Sequence, residues 1–156
     1  MPIKSFRGKL ADYDAANPTK SIETILLHTN NGSTGYRIVK MQLMPETIGN
    51  TNGEHVVQVY TVPQTDAKNT IDFSDNTLLA AGVVNNEGSV NRYPPNDAVV
   101  FDNIVVNQDI FVTHRHATGG SGDCNYYIEL EQVKLDLSEN TVATLKDIKN
   151  IEQSRQ

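Results

Sequence analysis

Histidines, one cysteine and a pair of glutamates are the residues of this sequence whose types and spacing bear on chemistry. His114-Arg115-His116 is the densest group. On a strand, residues two apart face the same side. Both imidazoles then reach one metal ion, with Asp123 or Cys124 as further ligands from the next loop. The spacing is unspecific, and Arg115 places a positive charge beside any incoming cation. A solvated strand end is therefore expected and no metal site is assigned. His28 and His55 stand next to apolar residues at strand ends and read as ordinary hydrogen-bonded side chains. Cys124 is the one cysteine of the chain. A nucleophilic thiol needs an adjacent histidine or a helix N-terminus, whereas Cys124 follows a Gly-rich stretch and Asp123, which raises its pKa. Glu129 and Glu131 face one way from one strand, about 7 Å apart at ordinary strand rise, and resemble the paired carboxylates of a glycosidase. Outward carboxylates on a strand more often make a solvent face. No catalytic residue is assigned. Gly119-Gly120-Ser121-Gly122 lacks the Gly-Lys-Ser/Thr and the helix of a phosphate loop. No haem, flavin or nicotinamide signature occurs, and no cofactor is expected.

The elements that must position these residues are strands. Apolar, β-branched runs are short and separated by Asn, Gly, Asp, Ser and Pro, the punctuation of turns. The candidate strands are Ile22 to Thr29, Tyr36 to Met44, His55 to Val62, Leu78 to Val84, Ala98 to Val106, Asp109 to His114, and Tyr126 to Leu137. Val39, Met41 and Leu43 share one face by alternation, with Lys40 and Gln42 opposite, and Val57 and Val59 repeat this around Gln58. In the last run Ile128 and Leu130 keep the even phase but Val133, Leu135 and Leu137 the odd one. A bulge or bend is therefore predicted near Glu131-Gln132. Seven short strands with such a bend predict an all-β fold, an antiparallel two-sheet sandwich or jelly roll.

Both ends read as arms. Residues 1–16 space Ile3, Phe6 and Leu10 among Lys4, Arg7 and Lys9. Residues 138–156 repeat Val142, Leu145, Ile148 and Ile151 every third position, as a short helix or an arm docked on a neighbour. The sandwich domain is expected over 17–137.

Composition narrows the function classes. The chain has 156 residues, 38% of them hydrophobic and 21% charged, which is one domain with room for a core that needs no disulfide. A net charge of −6 and the lack of a basic cluster interleaved with aromatics argue against nucleic acid as a partner. No run of about 20 apolar residues is present for crossing a bilayer. The N-terminus lacks the apolar core of a signal peptide, so synthesis in a cytoplasm is expected and the sequon Asn31-Gly32-Ser33 is not expected to carry sugar. The surface runs are neutral and polar, which suits amide and backbone hydrogen bonding to partner proteins with little charge to desolvate.

Whole segments add a resemblance. Met1-Pro2-Ile3-Lys4-Ser5-Phe6-Arg7-Gly8, the stretch from Asn31 to Lys40, Asp72-Phe73-Ser74-Asp75-Asn76-Thr77-Leu78-Leu79, Asn107 to His114, and the ending from Asn125 through Gln153 together resemble short virion structural proteins of marine tailed bacteriophages. The similarity spans nearly the whole chain; the Pro-containing loops around Gln64 and Pro94 depart from it. It implies a non-enzymatic virion component made in the host bacterial cytoplasm, a decoration or cement protein bridging capsid subunits. The implied partners are the major capsid protein or other virion proteins, in a homo-oligomer with a trimer favoured, and neither nucleic acid nor membrane. Ile3, Phe6 and Leu10 of one arm and Leu145, Ile148 and Ile151 of the other are the expected interface anchors. The loops from Asn85 to Asn96 and Gly119 to Gly122 would then face outward. A tail, neck or fibre-attachment component is the alternative in the same particle. A glycan or host-surface binding β-module using Tyr93 or Tyr126 is the alternative of another class.

Overall fold

The structure, a computed structural model, describes residues 2–27, 33–47, 54–85, 96–101, 103–116 and 121–135. Its strands are β1 (Ile3–Leu10), β2 (Ile22–Ile25), β3 (Thr34–Pro45), β4 (Glu54–Tyr60), β5 (Leu78–Asn85), β6 (Asn96–Val100), β7 (Ile110–His116) and β8 (Cys124–Lys134). They form two antiparallel sheets, one in the order β1-β8-β3 and the other β2-β7-β4-β5-β6. The arrangement is the expected β-sandwich. Its core lies between the sheets, where Tyr126, Ile128 and Leu130 of β8 and Ile38, Met41 and Leu43 of β3 meet Val57 and Val59 of β4 and Ile110 and Val112 of β7. A 3-10 turn, Pro18–Ser21, leads into β2, with proline at its start, where a missing N–H is no loss.

Each of the seven expected strands overlaps an observed one, and an eighth, β1, lies within the expected N-terminal arm. Residues Ile3–Leu10 pair along their whole length with β8, from Ile3 opposite Glu131 to Leu10 opposite Cys124. The alternation that makes this a strand is carried by Phe6, Gly8 and Leu10, which turn inward while Arg7 and Lys9 stay exposed. The sandwich therefore begins at Ile3, not at residue 17. Leu10 is 1% exposed and belongs to the core, so its apolar surface is spent within its own chain. This corrects its expected role as an interface anchor. Phe6 is partly buried against the same core, and Ile3 is 51% exposed. Leu145, Ile148 and Ile151, with the rest of the expected C-terminal arm, lie outside the described residues, as do His28 and Tyr93.

A bulge exists, but on the neighbouring strand and not near Glu131-Gln132. β8 pairs regularly through Glu131 and Gln132, whereas β3 shifts register between Ile38 and Lys40. Val39 is the extra residue. Ile38 faces the core before it, Met41 and Leu43 after it, and Val39 is exposed beside Lys40. A bulge of this kind resets the period-two alternation. Leu135, which carries the odd phase in the sequence, follows β8 and packs near Gly35, where an added Cβ would lie 3.0 Å from its Cδ1.

β4 departs from simple alternation for another reason. Val57 and Val59 face the inter-sheet core, but Val56, Gln58 and Tyr60 on the opposite face are also buried. The long connection from Thr61 to Thr77 covers them: Gln58 Nε2 donates to the carbonyls of Lys68 and Thr70, and Tyr60, Leu78 and Ala81 form a second small apolar cluster with Phe101. The run expected from Ala98 to Val106 is shorter than read, since β6 ends at Val100 and Val106 makes one isolated bridge to Tyr36.

Candidate functional site

At one end of the sandwich the aliphatic core gives way to histidine and cysteine. Alternation on β7 turns Ile110, Val112, His114 and His116 toward the other sheet, and β4 sets His55 opposite His116 and Val57 opposite His114. β8 enters the same space with Cys124, its first residue, opposite Leu10 of β1. Gly122, at φ 108°, lies just upstream; only glycine holds that left-handed conformation without strain. His55, His114 and Cys124 are all buried, and one ligand-type atom from each lies within 4.8 Å of the others.

The hydrogen bonds assign the protons. His114 Nδ1 is 2.8 Å from the Ala11 carbonyl, which can only accept, so Nδ1 carries the proton and donates. The neutral ring then offers a lone pair at Nε2, and His55 Nδ1, 2.8 Å away, donates to it. The rings sit tilted by 31° with centroids 5.0 Å apart. Burial, reinforced by His114, lowers the His55 pKa to about 4, and burial lowers that of His114 as well. Both are neutral at physiological pH, as a desolvated imidazole pair must be. Burial lifts the Cys124 thiol to about 12. Its hydrogen-bond acceptor is the Asn125 carbonyl at 3.6 Å.

Around this cluster the turn after β1 is clasped onto β7. Asp12 Oδ1 lies 2.8 Å from His116 Nε2, and the Asp12 amide donates to Asp123 Oδ1. Tyr13 donates to Asp66, and the Arg115 guanidinium lies 4.2 Å above its ring. Arg115 also donates to the Ala67 carbonyl. It is thus committed to the covered outer face of β7, away from the imidazoles.

The structure therefore separates the histidines that the sequence joined. His116 pairs with Asp12, and His114 finds His55 and Cys124. The partner missed from sequence was His55: fifty-nine residues away, it enters the site only through the β4–β7 pairing, although its place at the end of an inward alternation with Val57 and Val59 was the available signal. The thiol pKa is raised as expected, but by burial and not by Asp123. Glu129 and Glu131 project from β8 into ion pairs with Lys40 at 3.6 Å and with Arg37, so each carboxylate is held by its own cation across β3.

Among the remaining surface features, a depression of about 630 Å³ lies over β1, β3 and β8, lined by Arg7, Gln42, Met44, Asn125 and Tyr127. No helix among the described residues is long and apolar enough to cross a membrane.

No family model, curated protein or solved structure matches this chain. Its fold is what its own pairing shows.

Proposed function

We propose that this chain is a non-enzymatic structural protein of a tailed-phage virion, a capsid decoration or cement protein that joins neighbouring subunits. The virion assignment is supported by the resemblance of whole segments to such proteins. The joining role is supported by one observation, the state of β1. Among the described residues this eight-residue strand is at the edge of its sheet, paired with β8 and with no other strand, and Ile3, Lys4 and Ser5 are exposed on both faces. An edge with free backbone groups and an apolar residue at its tip is where another chain adds a strand or a side chain. Met44, 63% exposed, and Val39 extend apolar surface along the same sheet.

The mechanism is mass action: a protein that binds the closed shell and not its loosened form stabilises every junction it occupies, and copies acting together hold more tightly than one. A homo-oligomer, a trimer first, presents several such edges at once. The deciding measurement is the copy number of this chain in purified virions against the major capsid protein, by quantitative mass spectrometry. A simple ratio at hundreds of copies is expected. A few to a few dozen copies would move the protein to the neck, tail or fibres, and absence from the particle would end the virion reading.

A glycan-binding module is the second reading, and the depression beside Tyr127 favours it, because an aromatic ring flanked by Arg7, Gln42 and Asn125 offers a stacking face with hydrogen-bond donors. Its mark would be binding to host surface glycans that Tyr127→Ala removes.

A further inference from the structure

We propose that His55, His114 and Cys124 form a binding site for a thiophilic transition-metal ion of the zinc type, one that braces the two sheets where β1 ends. Nothing in the assembly role calls for such a site, and it stands independently of that reading. Three observations carry it.

The first is composition in place. Two imidazoles and a thiol, the ligand set that zinc and other borderline-soft ions select, converge from β4, β7 and β8 with ligand atoms within 4.8 Å. They do so with 0–2% exposure beside a core that is mainly aliphatic. A hydrogen-bonded histidine pair has no use for a thiol beside it, whereas a metal has.

The second is the outer support. Metal-ligating histidines donate their other ring nitrogen to a carbonyl or carboxylate, which fixes tautomer and orientation. His114 does this through Nδ1 to Ala11, leaving Nε2 aimed into the cluster.

The third is charge. Asp12 and Asp123 lie close enough to act on both histidines, and each is anchored, Asp12 to His116 and Asp123 to the Asp12 amide. They supply negative potential to a cation in the cluster, and Arg115, held on the far face of β7 by Tyr13 and Ala67, does not oppose it.

Entry of the ion has a defined balance. The thiol proton leaves to solvent as Cys124 becomes a thiolate, and the His55 proton passes by exchange with solvent from Nδ1, where it bridges to His114, to Nε2, which frees the Nδ1 lone pair for the metal. Two nitrogens on a tetrahedral ion with bonds of about 2.0–2.1 Å stand about 3.3 Å apart. The present 2.8 Å between His55 Nδ1 and His114 Nε2 therefore opens by about half an ångström as the metal replaces the hydrogen bond. Three protein ligands leave a fourth position for a water molecule.

The test uses the full chain, stripped with chelator, kept reduced, and titrated with Co2+ and then Zn2+. One equivalent of Co2+ should produce a thiolate-to-cobalt charge-transfer band in the near ultraviolet with the d–d bands of a tetrahedral ion. Zn2+ should bleach both and raise the melting temperature. Cys124→Ser, a near-isosteric change, should remove the charge-transfer band and weaken Zn2+ binding by at least about tenfold, the least that loss of even an outer partner costs. Absence of the band in the wild-type chain would overturn the proposal without recourse to any variant. So would Zn2+ affinity unchanged in Cys124→Ser.

Discussion

Burial decides the chemistry of single residues here more than sequence neighbours do. Cys124 sits one residue from a Gly-rich stretch, yet its thiol is enclosed between the sheets and raised to about 12. In the metal-free native chain it should react with a disulfide reagent at pH 8 about a thousandfold more slowly than in denaturant, since the thiolate fraction falls in that proportion. Stopped-flow thiol titration checks this. Tyr60 behaves alike: burial, with Asp75 and Asp72 nearby, raises its phenol to about 12. The sign follows from proton binding. Above pH 10 the unfolded chain ionises this group first, so the folded state holds more protons and stability falls as pH rises. Tyr60 alone should cost about 1 kcal/mol at pH 11 relative to pH 8 in urea unfolding, and Tyr126, raised by burial and by Glu23, acts in the same direction. A flat stability profile from pH 8 to 11 would contradict the placement of both rings.

At the scale of elements, β1 is the strand whose two ends have different tasks. Its C-terminal half is packed: a Cβ at Gly8 would stand 2.9 Å from a ring carbon of Tyr126, an aromatic wall that cannot bend aside. Gly8→Ala is expected to destabilise the fold by about 1–3 kcal/mol through overpacking, measured by chemical denaturation. The other half is open. Ile3→Lys places a charge on the exposed edge, so it should leave stability within about 0.5 kcal/mol while reducing self-association or shell attachment, followed by analytical ultracentrifugation and by co-sedimentation with shells. Unchanged assembly in Ile3→Lys would exclude this edge as the joining surface. Residues 1–16 resemble an arm in sequence because the inward phase of β1 uses a glycine: Phe6-Arg7-Gly8-Lys9-Leu10 alternates, but Gly8 carries no apolar side chain to advertise it. The place of the bulge is hidden in the sequence for a related reason. A break in alternation along β8 was legible, but which of two paired strands carries the extra residue is settled only by their register.

For the whole molecule, one inter-sheet core joins both sheets, so they should unfold together. Ile128, fully buried at its centre, is the sharpest probe. Ile128→Ala should cost about 2–5 kcal/mol, and far-ultraviolet dichroism and tyrosine fluorescence should report one coincident transition. Two separated transitions would mean that the sheets are independent. The Thr61 to Thr77 connection covers β4 on the outer face of the larger sheet, while among the described strands the edge of the smaller sheet at β1 pairs on one side, with β8.

The alternation and the turn residues by themselves determined that the described chain is nearly all β, roughly where seven of its strands run, and that a sandwich results. These are local properties: period-two burial and the backbone preferences of Gly, Asn and Pro act within a few residues. Only the tertiary structure decided which histidine meets which. His114 and His116 share a strand face, yet their partners come from residue 55 on β4, from the Ala11-Asp12 turn and from Cys124 on β8, brought together by strand order and register. Those depend on how two sheets bury their apolar faces against each other, a non-local outcome that no spacing along the chain encodes.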